Sequence, residues 1–198
     1  MPDLDSDLFQ LAMSAKAQPL MDGVKKHIQE NVVPISEEFF ALEKDKEDRW
    51  SWHPRQLELL DGAKEKAKQS GLWNFFLPDS ELGEGLTNLD YAYIATELGK
   101  VPLASETLNC SAPDTGNMEV LERVGTEAQK EQWLKPLLNG EIRSAYAMTE
   151  PGIPSSDAKN IRTQAVLDGD EWGINGEKFY ISCLLYTSPS PRDGLPSR

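Results

Sequence analysis

The chain has 198 residues, enough for one ordinary domain or for one helical domain and the opening of a second. Its 33 acidic residues outnumber 20 lysines and arginines, so the net charge of -13 disfavours nucleic acid and anionic membrane surfaces as partners. Two cysteines exclude a disulfide framework, and two isolated histidines predict no metal site. The acidic start lacks a secretory signal and no apolar run could span a bilayer, so we expect a cytoplasmic protein without a membrane span.

The first part of the chain has the periodicity of amphipathic helices. Apolar residues recur every three or four positions over Gly23–Leu42, which predicts a helix with one buried face and a kink at Pro34. A second helix is predicted over Pro54–Gln69, closed by Gly71. Its predicted buried stripe holds Leu57, Leu60 and Ala63.

The next stretch alternates buried connectors and short helices. Residues 72–78 read as a buried connector, and Thr87 is placed to cap a third helix. A short helix is predicted over Pro113–Val124. The Thr126–Gln129 segment has capping-box spacing and opens a helix ending at Gly140. The predicted inner face of that helix holds Trp133, Leu137 and Leu138.

The periodicity changes to that of strands after Gly140. Ile142–Met148 reads as a strand, and two hairpin turns, Asp168-Gly169 and Asn175-Gly176, predict a meander. The strands of this meander would be Arg162–Leu167, Glu171–Ile174 and Glu177–Ile181. Since so few strands cannot bury themselves, we expect an α+β chain: a helical domain over residues 1–140 and the truncated start of a β domain over 141–182.

The last residues depart from the rest of the sequence. Residues 183–198 contain Ser-Pro repeats that would stop a strand, and Cys183–Asp193 resembles a translated sequencing-library adapter. A genuine Pro/Ser-rich disordered linker is the alternative. We therefore expect native sequence to end near Ser182, followed by a non-native tail.

The segment Tyr146–Asp157 has a composition suited to ligand binding. A β-branched hydroxyl residue, Thr149, ends its apolar part, a Pro-Gly pair turns the chain, and Ser155 and Ser156 add hydroxyls. Turn amides and hydroxyls bind phosphate oxygens locally, whatever the net charge of the protein. An ordinary strand-to-loop transition has the same composition, so this segment alone leaves both interpretations open.

Two segments together resemble the flavin-binding segments of acyl-CoA dehydrogenases. The first is Thr149-Glu150-Pro151-Gly152 with the Ser-Ser-Asp at residues 155–157, and the second is GEKFYIS at residues 176–182. Residues 71–73 and 125–140 look like the family's helical domain, and the match covers nearly all of residues 21–182. Residues 109–119 look like the branch whose eukaryotic members can be fused to an aminoglycoside-phosphotransferase-like kinase domain. The resemblance therefore implies an N-terminal all-helical domain of the acyl-CoA dehydrogenase type followed by the first strands of an incomplete β domain.

The resemblance also implies an FAD site. Thr149 and backbone atoms of Met148 would hold the pyrimidine edge of the flavin, and Ser182, where the family commonly has Thr, would bond flavin N5. Tyr180 stands where the family usually has Trp. The serine loop is one residue longer than usual, so either serine could lie near the FAD pyrophosphate and the CoA pantetheine. The full set of expected cofactor-binding residues is Tyr146, Met148, Thr149, Ser155, Ser156, Tyr180, Ile181 and Ser182.

The reaction implied by the resemblance is α,β-dehydrogenation of an acyl-CoA thioester, with hydride transfer to flavin N5. In the family the carboxylate that removes the α-proton lies in a C-terminal helical domain, so no catalytic residue is assigned and the chain alone is expected to be inactive. Glu150 adjoins Thr149, but a carboxylate that caps backbone amides or faces solvent is the favoured interpretation. The implied partners are an acyl-CoA substrate, an electron-transfer flavoprotein and further copies of the full-length chain. An acyl-CoA oxidase, a flavin monooxygenase on the same fold and a non-catalytic fragment are the alternatives.

Overall fold

The structure is a computed structural model that describes residues 11–45, 51–78 and 81–181. Within them the chain forms two compact units, and the boundary lies between Val124 and Gly125. The first unit is helical, and the second contains a helical segment, a long loop and a two-stranded sheet. The predicted fold class, helices followed by a few strands, is thereby confirmed. The domain boundary near residue 140 and the nature of residues 183–198 stay predictions.

The first unit is built from short and medium helices joined by tight turns. One turn of π-helix, Ile28–Val32, joins the first two helices, and a turn of 3-10 helix, Leu42–Asp45, comes after the second. The predicted first helix therefore exists and begins earlier than expected. The helices are α1 (Gln18–His27), α2 (Val33–Ala41), α3 (Pro54–Gln69), α4 (Asn88–Leu98), α5 (Ala104–Thr107) and α6 (Asp114–Val124).

The effect of Pro34 is a wider helical turn. Proline has no N–H to donate, and directly before it the Val33 N–H donates to the carbonyl of Ile28, five residues back. Such a π turn accommodates the proline while the helix continues into α2. The structure thus shows a change of helical pitch directly before Pro34, and the predicted kink itself stays a prediction.

The core of the first unit forms where α3 packs against α2, α5 and the π turn. Its central cluster consists of Val32, Phe39, Leu60 and Leu103. On the other side, α1 packs against α4, which buries Ile94. The predicted buried connector is also found, because Leu72 and residues 74–77 are all buried.

The buried face of α3 differs from the predicted one at a single position. Leu57 is 43% exposed, whereas the neighbouring Gln56 is fully buried, so the prediction for Leu57 is wrong. Gln56 can face the core because its amide nitrogen donates to the carbonyl of Phe39 at 2.9 Å, and its amide oxygen accepts from the His53 N–H at 3.1 Å. Leu60 and Ala63 are buried as predicted.

Helix ends follow the predicted capping residues. Thr87 caps α4, with its side chain accepting from the Asp90 N–H while the Asp90 carboxylate accepts from the Thr87 N–H. Gly71 closes α3 with a positive φ of 69°, and the Leu72 N–H donates to the carbonyl of Ala67. Both predictions are confirmed.

The helical segment of the second unit contains another π turn. It consists of α7 (Glu127–Gln129), a π turn (Lys130–Leu134) and α8 (Lys135–Asn139). Thr126 caps it and Gly140, at φ 71°, ends it, as predicted. Trp133 is 48% exposed and Leu134 is buried instead, because the extra residue in the π turn shifts the inward-facing positions. The prediction for Trp133 is therefore wrong, and that for Leu137 is confirmed.

The sheet is a single antiparallel hairpin. Strands β1 (Gln164–Asp168) and β2 (Glu171–Asn175) pair in a register that sets Leu167 opposite Trp172, and Gly169 turns the chain at φ 62°. Neither Ile142–Met148 nor Glu177–Ile181 forms a strand, and no second hairpin turn forms at Asn175-Gly176. These three predictions are wrong, because extended chain becomes a strand only where a neighbour completes the hydrogen-bond ladder.

Candidate functional site

The two segments predicted to bind a ligand lie side by side in the second unit. The Phe179 N–H donates to the carbonyl of Thr149 at 3.1 Å. One residue earlier on each segment, the Lys178 ammonium donates to the carbonyl of Met148 at 3.0 Å. Loop residues 148–150 and 178–180, about thirty positions apart in sequence, therefore meet as one surface.

Glu150 holds this arrangement together from the inside. Its side chain is buried, and one carboxylate oxygen accepts from the Thr163 N–H at 2.9 Å, the Thr163 hydroxyl at 2.5 Å and the Lys178 ammonium at 2.9 Å. The other oxygen accepts from the Arg162 N–H at 2.7 Å. The carboxylate thus ties the first loop to the chain entering β1 and to the second segment.

These donors keep Glu150 ionised. The Lys178 ammonium, the Thr163 hydroxyl and the Arg162 amide lower its pKa to about 2, against the desolvation that opposes them. A carboxylate with so low a pKa and so many donors is a poor proton acceptor at neutral pH. The interpretation of Glu150 as a carboxylate that caps backbone amides is confirmed by these contacts.

The two serines of the first segment have different environments. Ser155 is buried, and its hydroxyl oxygen accepts from the Glu150 N–H at 2.8 Å. The same hydroxyl lies 3.4 Å from the carbonyls of Glu150 and Ile153, so its polar capacity is used within the loop. Ser156 is exposed. Of the two serines, only Ser156 therefore presents its hydroxyl at the surface of this loop.

Two predicted aromatic residues are highly exposed. Tyr146 is 61% exposed and Tyr180 is 84% exposed. The ring centroids of Tyr180 and Phe179 lie 4.4 Å apart. Tyr180 has a positive φ of 56°, a left-handed conformation that costs a non-glycine residue on the order of 1 kcal/mol. Such backbone conformations cluster at ligand sites. Ile181 is half-buried, and Ser182 lies outside the described residues.

Sequence reasoning did not find Lys178 and Thr163 as parts of this site. Lys178 gave a weak signal, since it is the second of two charged residues, Glu177 and Lys178, that precede the Phe179-Tyr180-Ile181 run. Its pairing with Glu150, 28 positions earlier, has no local pattern that would reveal it. Thr163 lies within the predicted strand Arg162–Leu167, and nothing in the local sequence distinguishes it as a site residue.

The described residues hold no group of three or more His, Cys, Asp or Glu side chains arranged to bind a metal ion. Over the same ranges, none of the helices combines the length and the apolar character that crossing a bilayer requires. The contacts between residues 148–150 and 178–180 are made by backbone N–H and carbonyl groups and by a buried ion pair.

Residues 14–141 match the family model described as "Acyl-CoA dehydrogenase, N-terminal domain". The mouse protein "Acyl-CoA dehydrogenase family member 10" is 44% identical over 87% of this chain, which corresponds to 16% of the mouse protein. The family and the branch predicted from the sequence motifs are confirmed by these matches.

Solved structures agree with this assignment. A Mycobacterium abscessus protein assigned to the acyl-CoA dehydrogenases is 45% identical with a TM-score of 0.77, and the match covers 86% of this chain and 43% of that one. An acyl-CoA dehydrogenase from Bacillus anthracis, solved in complex with FAD, is 29% identical with a TM-score of 0.54, over 84% of this chain and 26% of that one. The chain spans less than half the length of each of these three proteins. Its family model, its relatives and its fold together place the chain in the acyl-CoA dehydrogenase family.

Proposed function

We propose that this chain supplies the helical domain and two flavin-contacting segments of an FAD-dependent acyl-CoA dehydrogenase. The observation that carries the proposal is the hydrogen bond from the Phe179 N–H to the Thr149 carbonyl, which joins the two motif segments into one surface. Family membership supports an acyl-CoA thioester as substrate, an electron-transfer flavoprotein as the electron acceptor and a homo-oligomeric full-length protein.

The groups on this surface fit FAD. A flavin ring needs hydrogen-bonding groups along its pyrimidine edge and apolar or aromatic cover, and the pyrophosphate needs N–H and O–H donors. Met148 and Thr149 offer backbone groups and a hydroxyl, and Tyr180 offers an exposed ring. When bound, FAD supplies the acceptor for the hydride that leaves the β-carbon of the acyl chain.

The structure favours Ser156 over Ser155 as the residue that binds phosphate. The Ser155 hydroxyl is buried, accepts from the Glu150 N–H and has its single O–H directed at the Glu150 and Ile153 carbonyls, so donating to a phosphate would require taking it from these contacts. Ser156 is exposed one residue later and can donate outward without such a cost. We therefore assign the pyrophosphate contact to Ser156.

The proton-abstracting base lies outside this chain in our proposal. Glu150 has its carboxylate occupied by four donors. Asp90, a second buried acid, accepts from the Ser14 N–H at 2.7 Å and from the Thr87 hydroxyl at 2.8 Å. Both carboxylates are used to hold the fold, so the role of the described segments is to bind and orient FAD and the thioester.

A chimera tests this proposal. Residues 1–181 of this chain would replace the matching part of the Mycobacterium abscessus protein, with that unaltered protein as the reference. We expect the purified chimera to retain FAD and to oxidise saturated acyl-CoAs in a dye-coupled assay. We expect Ser156→Ala to weaken FAD binding about tenfold, the worth of one charge-assisted hydrogen bond. Ser155→Ala should instead lower the stability of the loop.

The matched control is Ser70→Ala, since Ser70 is an exposed serine at the end of α3 in the helical unit. It should leave FAD affinity unchanged. A folded chimera that binds no FAD, beside a reference protein that does, would contradict the proposal. Equal FAD affinity for Ser156→Ala and Ser70→Ala would contradict the assignment of the pyrophosphate contact.

A further inference from the structure

Lys178 and Glu150 make contacts that go beyond an ordinary ion pair. We infer that the Glu150–Lys178 pair is a strut that sets the spacing between the two cofactor segments, and that Lys178 is a positioning residue for the flavin. The inference rests on the proposed function, because it assigns these segments to FAD.

The Lys178 ammonium contacts the first segment on both sides of Thr149. It donates to the main-chain carbonyl of Met148 at 3.0 Å and to the Glu150 carboxylate at 2.9 Å. Lysine offers three donors on one nitrogen, so both bonds form at once. Because the two acceptors belong to residues on either side of Thr149, the ammonium holds the backbone of Thr149 in a defined position.

Glu150 is anchored independently of Lys178. Three further donors, from Arg162 and Thr163, hold its carboxylate against the chain that leads into β1. Removing Lys178 leaves the carboxylate with these three donors. Removing Glu150 leaves the Arg162 and Thr163 amides without this acceptor and takes from the half-buried ammonium its charged partner, so that only the Met148 carbonyl remains for it; this is the costlier loss. Substitution of Lys178 therefore removes the Glu150–Lys178 contact and leaves the other bonds of the loop in place.

The strut matters because it supports the two residues after Lys178. The next residue, Phe179, bonds to Thr149, and the one after it, Tyr180, has the strained φ of 56°. Strain of this kind persists only where neighbouring contacts hold the backbone. Without the strut, residues 178–180 are free to relax, and the surface of Met148, Thr149 and Tyr180 loses its preorganised shape.

Amide hydrogen exchange on the 198-residue chain tests whether the strut exists. We expect Lys178→Met to speed exchange of the Phe179 amide about tenfold or more. The substitution removes the Lys178 bonds to Met148 and Glu150, which hold the Phe179 N–H against the Thr149 carbonyl. The Arg162 and Thr163 amides, which Glu150 still holds, should change much less. Lys178→Arg keeps the charge and the donors and should restore protection. Lys159→Met removes an exposed lysine of the same unit and is the matched control.

The chimera with the Mycobacterium abscessus protein tests whether the strut positions the flavin. We expect Lys178→Met to lower FAD affinity about tenfold and to shift the visible absorption bands of the bound flavin, and Lys178→Arg to reverse both effects. An unchanged Phe179 exchange rate would overturn the strut. Altered exchange with unaltered affinity and spectrum would overturn the positioning role. If the unsubstituted chimera binds no FAD, the proposed function fails, while the exchange data still decide whether the strut exists.

Discussion

Two buried titratable side chains have environments that favour different charge states. Hydrogen-bond donors and the Lys178 ammonium surround Glu150 and favour its charged form, whereas burial and the nearby Lys66 charge favour the neutral form of His27. The ring of His27 has its Nε2 3.1 Å from the Thr107 hydroxyl oxygen, and that hydroxyl itself donates to the carbonyl of Ala104 at 2.9 Å. The Thr107 oxygen is therefore left to accept from an Nε2–H, while Nδ1 faces the Asn31 amide nitrogen at 3.4 Å. Burial and the nearby Lys66 charge lower the pKa of His27.

Acid should weaken the Glu150 contacts at an unusually low pH. A carboxylate with a folded-state pKa of about 2 and an ordinary value of 4.5 stabilises the fold fully above pH 4.5, and this contribution is lost as the pH falls toward 2. Hydrogen exchange of the Arg162 and Thr163 amides across this range measures it. Glu150→Gln should show weaker protection and no such pH dependence. Parallel pH profiles for the two proteins would contradict the prediction.

His27 should make the helical unit sensitive to mild acid. Its folded-state pKa lies below the ordinary 6.5, so the unfolded chain binds the proton first and stability falls as the pH drops below 6.5. Lys26 and Glu30 also line the cavity beside the ring, and Lys66 faces it from α3. We expect the difference in melting temperature between wild type and His27→Gln to shrink between about pH 7.5 and pH 5. The comparison cancels any contribution from His53, which both proteins contain.

At the scale of elements, helix ends and the hairpin are specified by a few local residues. Capping boxes at Thr87 and Thr126 start their helices, and glycines with positive φ at Gly71 and Gly140 end theirs. The hairpin register places Ala165, Leu167, Trp172 and Ile174 on one face of the sheet. That face is apolar, whereas the opposite face is mostly polar, which explains the alternation seen in the sequence.

Gly176 should resist substitution because the chain passes close to Thr163. A Cβ at this position would lie 2.8 Å from the Thr163 Cβ and 2.9 Å from its Cα, and the backbone atom cannot move aside easily. We expect Gly176→Ala to cost about 1–3 kcal/mol of stability in the second unit. The hairpin glycine Gly173 is the matched control, since its Cβ would meet only the Val166 carbonyl at 3.6 Å.

Hydrogen exchange of the β1 and β2 amides distinguishes the two glycine variants. Gly173→Ala should leave protection unchanged or raise it slightly, because alanine loses less backbone entropy than glycine on folding. Equal losses in both variants would mean that the hairpin is sensitive to any added methyl group. Proximity to Thr163 would then not be the cause.

At the scale of the whole molecule, the two units differ in how many apolar side chains they bury. Most of the buried apolar side chains lie in the first unit, among them Val24, Phe75, Ile94 and Met118. In the described part of the second unit, the buried apolar side chains are Leu134 and Leu137, and both strands are exposed along their length. Burial of apolar surface is the main stabilising contribution, so the first unit should be the more stable.

Separate expression of the two units tests this difference. Residues 1–124 alone should show a cooperative thermal transition and the same pH response that His27 gives the whole chain. Residues 125–198 alone should unfold gradually, since the strands and the helical segment in the described part of this unit bury little apolar surface. Circular dichroism on heating measures both. A cooperative transition in the second fragment and none in the first would reverse the assignment.

The sequence alone determined the features that depend on residues within about five positions of each other. Helix caps, closing glycines and the Asp168-Gly169 turn belong to this class, because their hydrogen bonds close locally. The motif segments Thr149–Asp157 and Gly176–Ser182 also indicated the family without any structure.

Only the tertiary structure decided which side chains meet across long separations. Gln56 replaces Leu57 in the core because the Phe39 carbonyl, 17 positions away, needs a donor. Ile142–Met148 is not a strand because none of the described residues completes a ladder beside it. Glu150 meets Lys178 and Thr163 because the hairpin brings them to one buried carboxylate. Local propensity carries no information about such partners, since their pairing depends on the path of the whole chain.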